Sequence, residues 1–393
     1  MVPAELRYPG VYVQEAPSGE RTVAGASTST AAFVDLFADG PITSRDEAYP
    51  VEVASFNEFD RTFGGLDARS EASYAVRQFF DNGGRSAWVV RADDGTGAVP
   101  DGERLIAAMR SGLDAISPFV FNIFCLPIAA TYSPSEAGVV IGAALEYCRG
   151  KRAFMIVDIP ESVQSVGDML AWIGSYGGPT RSNGAVYFPR LVIADPLAPG
   201  RSRNIGPSGT MAGIYARTDA SRGVWKAPAG SEAVLRGVDL AFKMNDAQNG
   251  QLNPLGVNCL RSFPVHGNVA WGARTLAGAD LLGSEWKYVN VRRLADYIEA
   301  SLELALGWTV FEPNDESLWS QIRLEVSGFL QGLFVNGAFA GSSPDRAYFV
   351  RCDSTTTTTR DVAGGSVNVL VGIAPTRPAE FIILRIELRA GQG

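Results

Sequence analysis

Near the end of the chain, apolar and charged residues alternate with a period of two. Ile382, Leu384, Ile386 and Leu388 fall on one side of an extended segment, and Arg385 and Glu387 on the other. A second predicted strand, 367–374, precedes it and carries Val367, Val369 and Val371 at every other position. Pro375-Thr376-Arg377-Pro378 joins the two. A long apolar strand at a chain end requires a partner sheet, because an open edge pairs indiscriminately. The opposite end offers a similar piece: Tyr8-Pro9-Gly10 turns into the short strand Val11-Tyr12-Val13. Two strand-forming ends on one chain suggest strands exchanged between subunits.

Between these ends the pattern alternates. Strand signals at 31–37, 87–91, 119–126, 153–159, 185–188 and 191–194 are interleaved with helical spacing at 56–63, 71–80, 101–111, 133–148 and 162–173. The run Phe154-Met155-Ile156-Val157 is apolar throughout, as in a strand covered on both faces. Residues 204–230 read as a loop, a short helix and a turn, and 250–290 as loop-rich. Helices are expected over 291–306 and 315–334, then a strand over 347–352 and a polar loop over 355–359. The second helix places Leu318, Ile322, Val326, Phe329, Leu330 and Leu333 on one face, with Glu316, Ser320, Arg323, Ser327 and Gln331 on the other. The fold class expected is α/β (α+β): a layered mixed-sheet domain and a C-terminal α+β domain, with extended β-arms at both ends. The expected division is 1–22, 23–255, 256–366 and 367–393.

The 393 residues are 46% hydrophobic and 19% charged, enough for a sizeable core. A net charge of -8 argues against nucleic acid as a partner. The four cysteines, Cys125, Cys148, Cys259 and Cys352, are widely spaced and read as reduced, buried thiols. No signal peptide is evident at the N-terminus, and the most apolar stretch, 119–130, is too short to span a membrane. The chain is therefore expected to fold in a cytoplasm, without direct membrane insertion.

Catalytic chemistry is thinly represented. His266 is the one histidine, and no G-x-S-x-G elbow exists to pair with it. Gly150-Lys151 is followed by arginine, so no phosphate-binding P-loop forms there. Asp35, Asp158 and Asp195 stand near predicted strand ends, where α/β enzymes place their sites. They leave an enzyme reading open, although no metal ligand set, base or nucleophile clusters with them in the sequence. No cofactor is expected.

A longer set of motifs points elsewhere. Pro207-Ser208-Gly209, Ala212-Gly213-Ile214-Tyr215-Ala216-Arg217-Thr218-Asp219 and Arg222-Gly223-Val224-Trp225-Lys226-Ala227-Pro228 stand in order. They are followed by Trp271-Gly272-Ala273-Arg274-Thr275-Leu276, Tyr288-Val289-Asn290-Val291-Arg292-Arg293-Leu294 and Phe311-Glu312-Pro313-Asn314-Asp315. With Tyr8-Pro9-Gly10-Val11-Tyr12 at the start and Pro378-Ala379-Glu380-Phe381 near the end, the chain resembles the contractile tail sheath proteins of phages, R-type pyocins and extracellular contractile injection systems.

The resemblance implies a non-enzymatic structural subunit. It would polymerise helically around an inner tube in a metastable extended state, then contract to drive the tube through a target envelope. The partners implied are other copies of the chain, the inner tube protein, and baseplate and terminal cap proteins, assembled in the bacterial cytoplasm. By the matching positions, Val11, Tyr12 and Val13 belong to an N-terminal arm. Val367, Val369, Val371, Ile382, Leu384, Ile386 and Leu388 belong to C-terminal arm strands. By family analogy 256–366 is the inner domain, and Glu316, Ser320, Arg323, Ser327 and Gln331 form a candidate tube-facing surface. A static shell that never contracts remains the other structural reading.

Overall fold

The computed structural model describes residues 23–41, 49–92, 98–117, 119–175, 181–376 and 382–389. The expected strand Val11-Tyr12-Val13 lies outside them. In chain order the strands are β1 (Ala31–Asp35), β2 (Val51–Val53), β3 (Ala87–Arg91), β4 (Ile123–Cys125), β5 (Phe154–Val157), β6 (Gly184–Phe188), β7 (Leu191–Ala194), β8 (Ser202–Ile205), β9 (Asp239–Leu240), β10 (Val257–Phe263), β11 (Gly267–Ala270), β12 (Tyr348–Arg351), β13 (Ser366–Ile373) and β14 (Ile382–Arg389). The helices are α1 (Phe56–Phe63), α2 (Glu71–Asp81), α3 (Gly102–Asp114), α4 (Pro134–Lys151), α5 (Val166–Ser175), α6 (Ser208–Arg222), α7 (Asp246–Leu252), α8 (Val289–Ala305), α9 (Glu316–Val335), α10 (Pro344–Ala347) and α11 (Thr359–Ala363).

Eight strands form one sheet in the order β11-β10-β6-β5-β4-β1-β3-β2. The inner strands run parallel, and antiparallel β11 and β2 close the two edges. Alternation along β1 shows why helices cover both faces. Ala32 and Val34 join a core with Leu105 and Met109 of α3 and Val140 and Ile141 of α4. Ala31 and Phe33 join a second core with Phe59 of α1, Phe79 of α2 and Met211 of α6. Strands buried on both faces need continuous apolar sequence, which β1 and β5 supply.

The α2–α6 crossing is very close. A Cβ on Gly209 would stand 2.1 Å from the Ala75 carbonyl oxygen, and one on Gly213 2.5 Å from that of Phe79. Only glycine at both positions allows the two helices to approach this far. Ser70 caps α2 by accepting from the Ser73 N–H at 3.1 Å.

Two differences from the expected layout stand out. The loop-rich stretch 250–290 contains β10 and β11. β10 pairs in parallel with β6, so residues 257–270 complete the first sheet. The physical reason lies in burial: Val257 and Cys259 join the first core while Leu260 joins the second. The short helix expected after 207 is a 15-residue helix, α6.

Beyond residue 288, α8 and α9 pack with β12 and β13 around a third core. It includes Leu294, Ile298 and Leu302 of α8, and Ile322, Val326 and Leu330 of α9. Among the described residues, no helix is long and apolar enough to cross a membrane. All four cysteines are buried free thiols.

Candidate assembly surfaces

The two C-terminal strands form one antiparallel hairpin within the chain. β13 is the centre of a three-stranded sheet, flanked by β12 and β14. Val367, Val369 and Val371 are buried in the third core. They are not free arm positions here, because β13 is hydrogen-bonded on both sides by its own chain. In register, Val367 stands opposite Leu388, Val369 opposite Ile386, Val371 opposite Leu384 and Ile373 opposite Ile382. The structure thus brings together the seven C-terminal candidates along one ladder. Among the described residues, the outer edges of β12 and β14 carry no strand partner. Such edges are templates for pairing with another chain.

The loop before α9 fixes the base of this sheet. Asp315 caps α9 by accepting from the Leu318 N–H at 3.1 Å. Asn314 donates to the Ser366 carbonyl at 3.0 Å and accepts from the Trp319 indole N–H at 2.8 Å. This accounts for part of the Phe311–Asp315 motif: it positions the helix against β13.

The five residues expected to face a tube are divided by the structure. Glu316 and Ser320 are exposed; Arg323, Ser327 and Gln331 are half-buried. Arg323 donates to Glu316 at 2.6 Å and also to the Cys352 carbonyl. Gln331 accepts from the Tyr348 hydroxyl at 2.8 Å. Two of the five, Arg323 and Gln331, therefore tie α9 to β12 and its flank. The most exposed stripe of α9 runs through Ser317, Gln321, Leu324, Gly328, Gly332 and Val335, with Leu324 and Val335 both 73% exposed. A polar-residue criterion misses this stripe because four of its six residues are apolar or glycine. Only the orientation of the helix on its core reveals it.

A buried ionic junction joins the helical module to the large sheet. Arg293 of α8 donates to both carboxylate oxygens of Asp219 on α6, at 3.0 and 2.7 Å, and to the Thr28 carbonyl at 2.8 Å. Its guanidinium lies over the Tyr215 ring at 4.8 Å, and Tyr215 shares a 2.8 Å hydroxyl contact with Tyr187. Burial pushes the Asp219 carboxyl up from its ordinary value, and Arg293 opposes that shift. Next to it, Arg292 pairs with Asp296 and Glu299 and lies 4.0 Å over the Trp286 ring. The blocks 212–219 and 288–294 are thus core and junction.

The strand-end carboxylates that kept an enzyme reading open are tied to backbone and hydroxyl donors. Asp35 accepts from the Leu36 and Ala72 N–H groups at 2.6 and 3.2 Å. Asp158 accepts from Ser208 N and Oγ at 2.9 and 2.5 Å. Asp195 accepts from Leu197 N and the Tyr74 hydroxyl at 2.9 and 3.3 Å. His266 is exposed in the β10–β11 turn.

Comparison with known proteins gives the geometry a context. Residues 283–389 match the model of the phage tail sheath C-terminal domain. A stretch of 176 residues is 29% identical to the tail sheath protein of Enterobacteria phage T4, covering 44% of this chain. The chain spans only 25% of the length of that phage protein. Over 97% of both chains, the fold matches the sheath of an extracellular contractile injection system, PVC, in its contracted state, with a TM-score of 0.74 and 29% identity. It also matches the helical sheath of the anti-feeding prophage in its contracted state, with a TM-score of 0.70 and 31% identity over 97% of this chain and 99% of the other.

Proposed function

The chain belongs to the contractile tail sheath protein family, and we propose that it is a sheath subunit. It polymerises with its own copies around an inner tube, is assembled in an extended state, and contracts to drive the tube through a target envelope. The near-full-length likeness to helical sheaths carries this reading. The open edges of β12 and β14 supply its physical means, because head-to-tail contacts that do not close generate an open helix. Further partners are the tube protein, a baseplate and a terminal cap. Assembly takes place in the bacterial cytoplasm, and the work of contraction comes from a free-energy gap between two packings, with no enzymatic step or cofactor.

Within this reading β14, together with the N-terminal segment, supplies the linkage between copies, and β13 supplies the platform. The α9 stripe through Leu324 faces the tube. Negative-stain microscopy of the full-length chain, alone and with its tube protein, tests the function. Two sheath diameters, before and after urea or acid treatment, are the expected result. A polymer of a single unchanging diameter would indicate a static shell and sink the contractile reading.

A further inference from the structure

At the C-terminal edge of the large sheet, two buried aspartates flank Glu71, which pairs with the guanidinium of Arg190. Asp35 ends β1, Asp158 follows β5, and Glu71 opens α2 between them, its charge acting on both. Arg190, 3% exposed, donates to Glu71, to Asn204 at 2.7 Å and to the Ile159 carbonyl at 2.7 Å. Glu71 also accepts from the Gly206 N–H. Among the described residues, no cation contacts Asp35 or Asp158, and both side chains are sealed from solvent. A Cβ on Gly206 would stand 2.4 Å from an Asp158 oxygen, so the backbone itself closes over that carboxyl.

The surroundings offer little compensation. Arg91, opposite Asp35 on β3, donates to the Gly40 carbonyl at 3.2 Å. At the rim, Arg203 lies over the Tyr74 ring at 4.2 Å and 4.0 Å from Asp195. Ionising Asp35 or Asp158 in this space buries negative charge that is offset only by backbone N–H groups, the Ser208 hydroxyl and, for Asp158, the field of Arg190.

We infer that Asp35, Glu71, Asp158 and Arg190 form a proton-held clasp that fastens the sheet edge to α2 and α6, and that loosens as Asp35 and Asp158 ionise. The clasp lies in the large-sheet body, apart from the assembly surfaces, and does not rest on the proposed function. Burial, and after it the charge of Glu71, holds Asp158 up at about 7; burial likewise raises Asp35. Both carboxyls are raised above the ordinary 3.8, so the sign is fixed. The stabilisation is complete below about pH 4 and is lost as pH rises through about 7.

Hydrogen exchange of the full-length chain, corrected for the intrinsic chemical rate, tests this between about pH 5 and about pH 8.5. Peptides from α2 and from the N-terminal half of α6 should lose protection by at least about tenfold, while peptides from α9 hold steady. Asp158→Asn, which keeps the neutral shape, should flatten the profile. Glu71→Gln should move the midpoint to lower pH, because Asp158 then ionises against Arg190 without a competing charge. An unchanged slope in Asp158→Asn, or an unmoved midpoint in Glu71→Gln, overturns the clasp. If Asp158→Asn fails to fold, the Glu71→Gln midpoint alone decides.

Discussion

Cutting the chain before residue 382 and cutting it before residue 367 should give opposite outcomes. The first cut removes β14 alone. The second also removes β13, and with it Val367, Val369, Val371 and Ile373, which are 7%, 0%, 0% and 0% exposed. At about 1.5–3 kcal/mol per buried aliphatic side chain, these residues contribute roughly 6–12 kcal/mol to the core they share with α8 and α9. That is comparable to the about 5–15 kcal/mol that holds a whole domain folded. Loss of β13 is therefore expected to unfold the module beyond residue 288, and loss of β14 to leave it folded. Thermal melts followed by circular dichroism, with limited proteolysis of the α9 region, separate the two. Microscopy adds the functional readout: the chain cut before 382 should melt cooperatively yet form no tubes. The reasoning fails if both truncations melt alike, or if normal tubes form without β14.

Three further perturbations address the junction, the helix crossing and the α9 face. Arg293→Met strands the buried Asp219 carboxylate and should cost about 3–5 kcal/mol, read as a lowered melting temperature. Adding Asp219→Asn should recover part of it, and equal melts for the single variant and the parent chain would refute the junction. Gly213→Ala places a Cβ 2.5 Å from the Phe79 carbonyl oxygen, forcing α6 off α2 at a cost of about 1–3 kcal/mol; an unmoved melting curve would show the crossing to be soft. Leu324→Glu, on a 73% exposed residue, should shift stability by less than about 0.5 kcal/mol yet weaken co-sedimentation with the tube protein. Arg323→Glu should lower the melting temperature as well, since it breaks the Glu316 and Cys352 contacts. If Arg323→Glu released the tube at unchanged stability while Leu324→Glu bound normally, the polar face would be the contact.

Periodicity made most of the body legible. The apolar runs at β1 and β5 and the helical spacing of α2 and α9 each survive as elements of the fold. What escaped was β10, whose Val257-Asn258-Cys259-Leu260-Arg261 neither alternates cleanly nor stays apolar. Asn258 is the cause: it is buried, with its amide donating to the Val186 and Arg274 carbonyls at 3.1 and 2.7 Å, so a polar residue stands where a strand pattern wants an apolar one. Arg261 is the second case, buried beside Asp246. On α9 the pattern located the helix and its core face, but whether a polar residue meets solvent or a neighbouring strand depends on tertiary packing. Gln331 and Arg323 are claimed by Tyr348 and Cys352, residues no local window contains. The family motifs carried what periodicity did not.

The register of the terminal hairpin bears on how a linkage could outlast contraction. Residues 374–381 connect β13 to β14, and eight residues reach at most about 26–29 Å. Within that radius β14 can pair with its own β13, as here, or with the β13 of a neighbouring copy. The ladder is the same in both cases, with Val369 opposite Ile386 and Val371 opposite Leu384. Exchange thus conserves the hydrogen bonds and the cross-strand positions. A linkage that is equally good in every copy cannot bias the polymer toward either packing. On the proposed function, the free energy released on contraction must therefore reside in the contacts between bodies. Substitutions on exposed body surfaces should shift the ease of contraction, whereas substitutions within the β13–β14 ladder should change whether the polymer holds together at all.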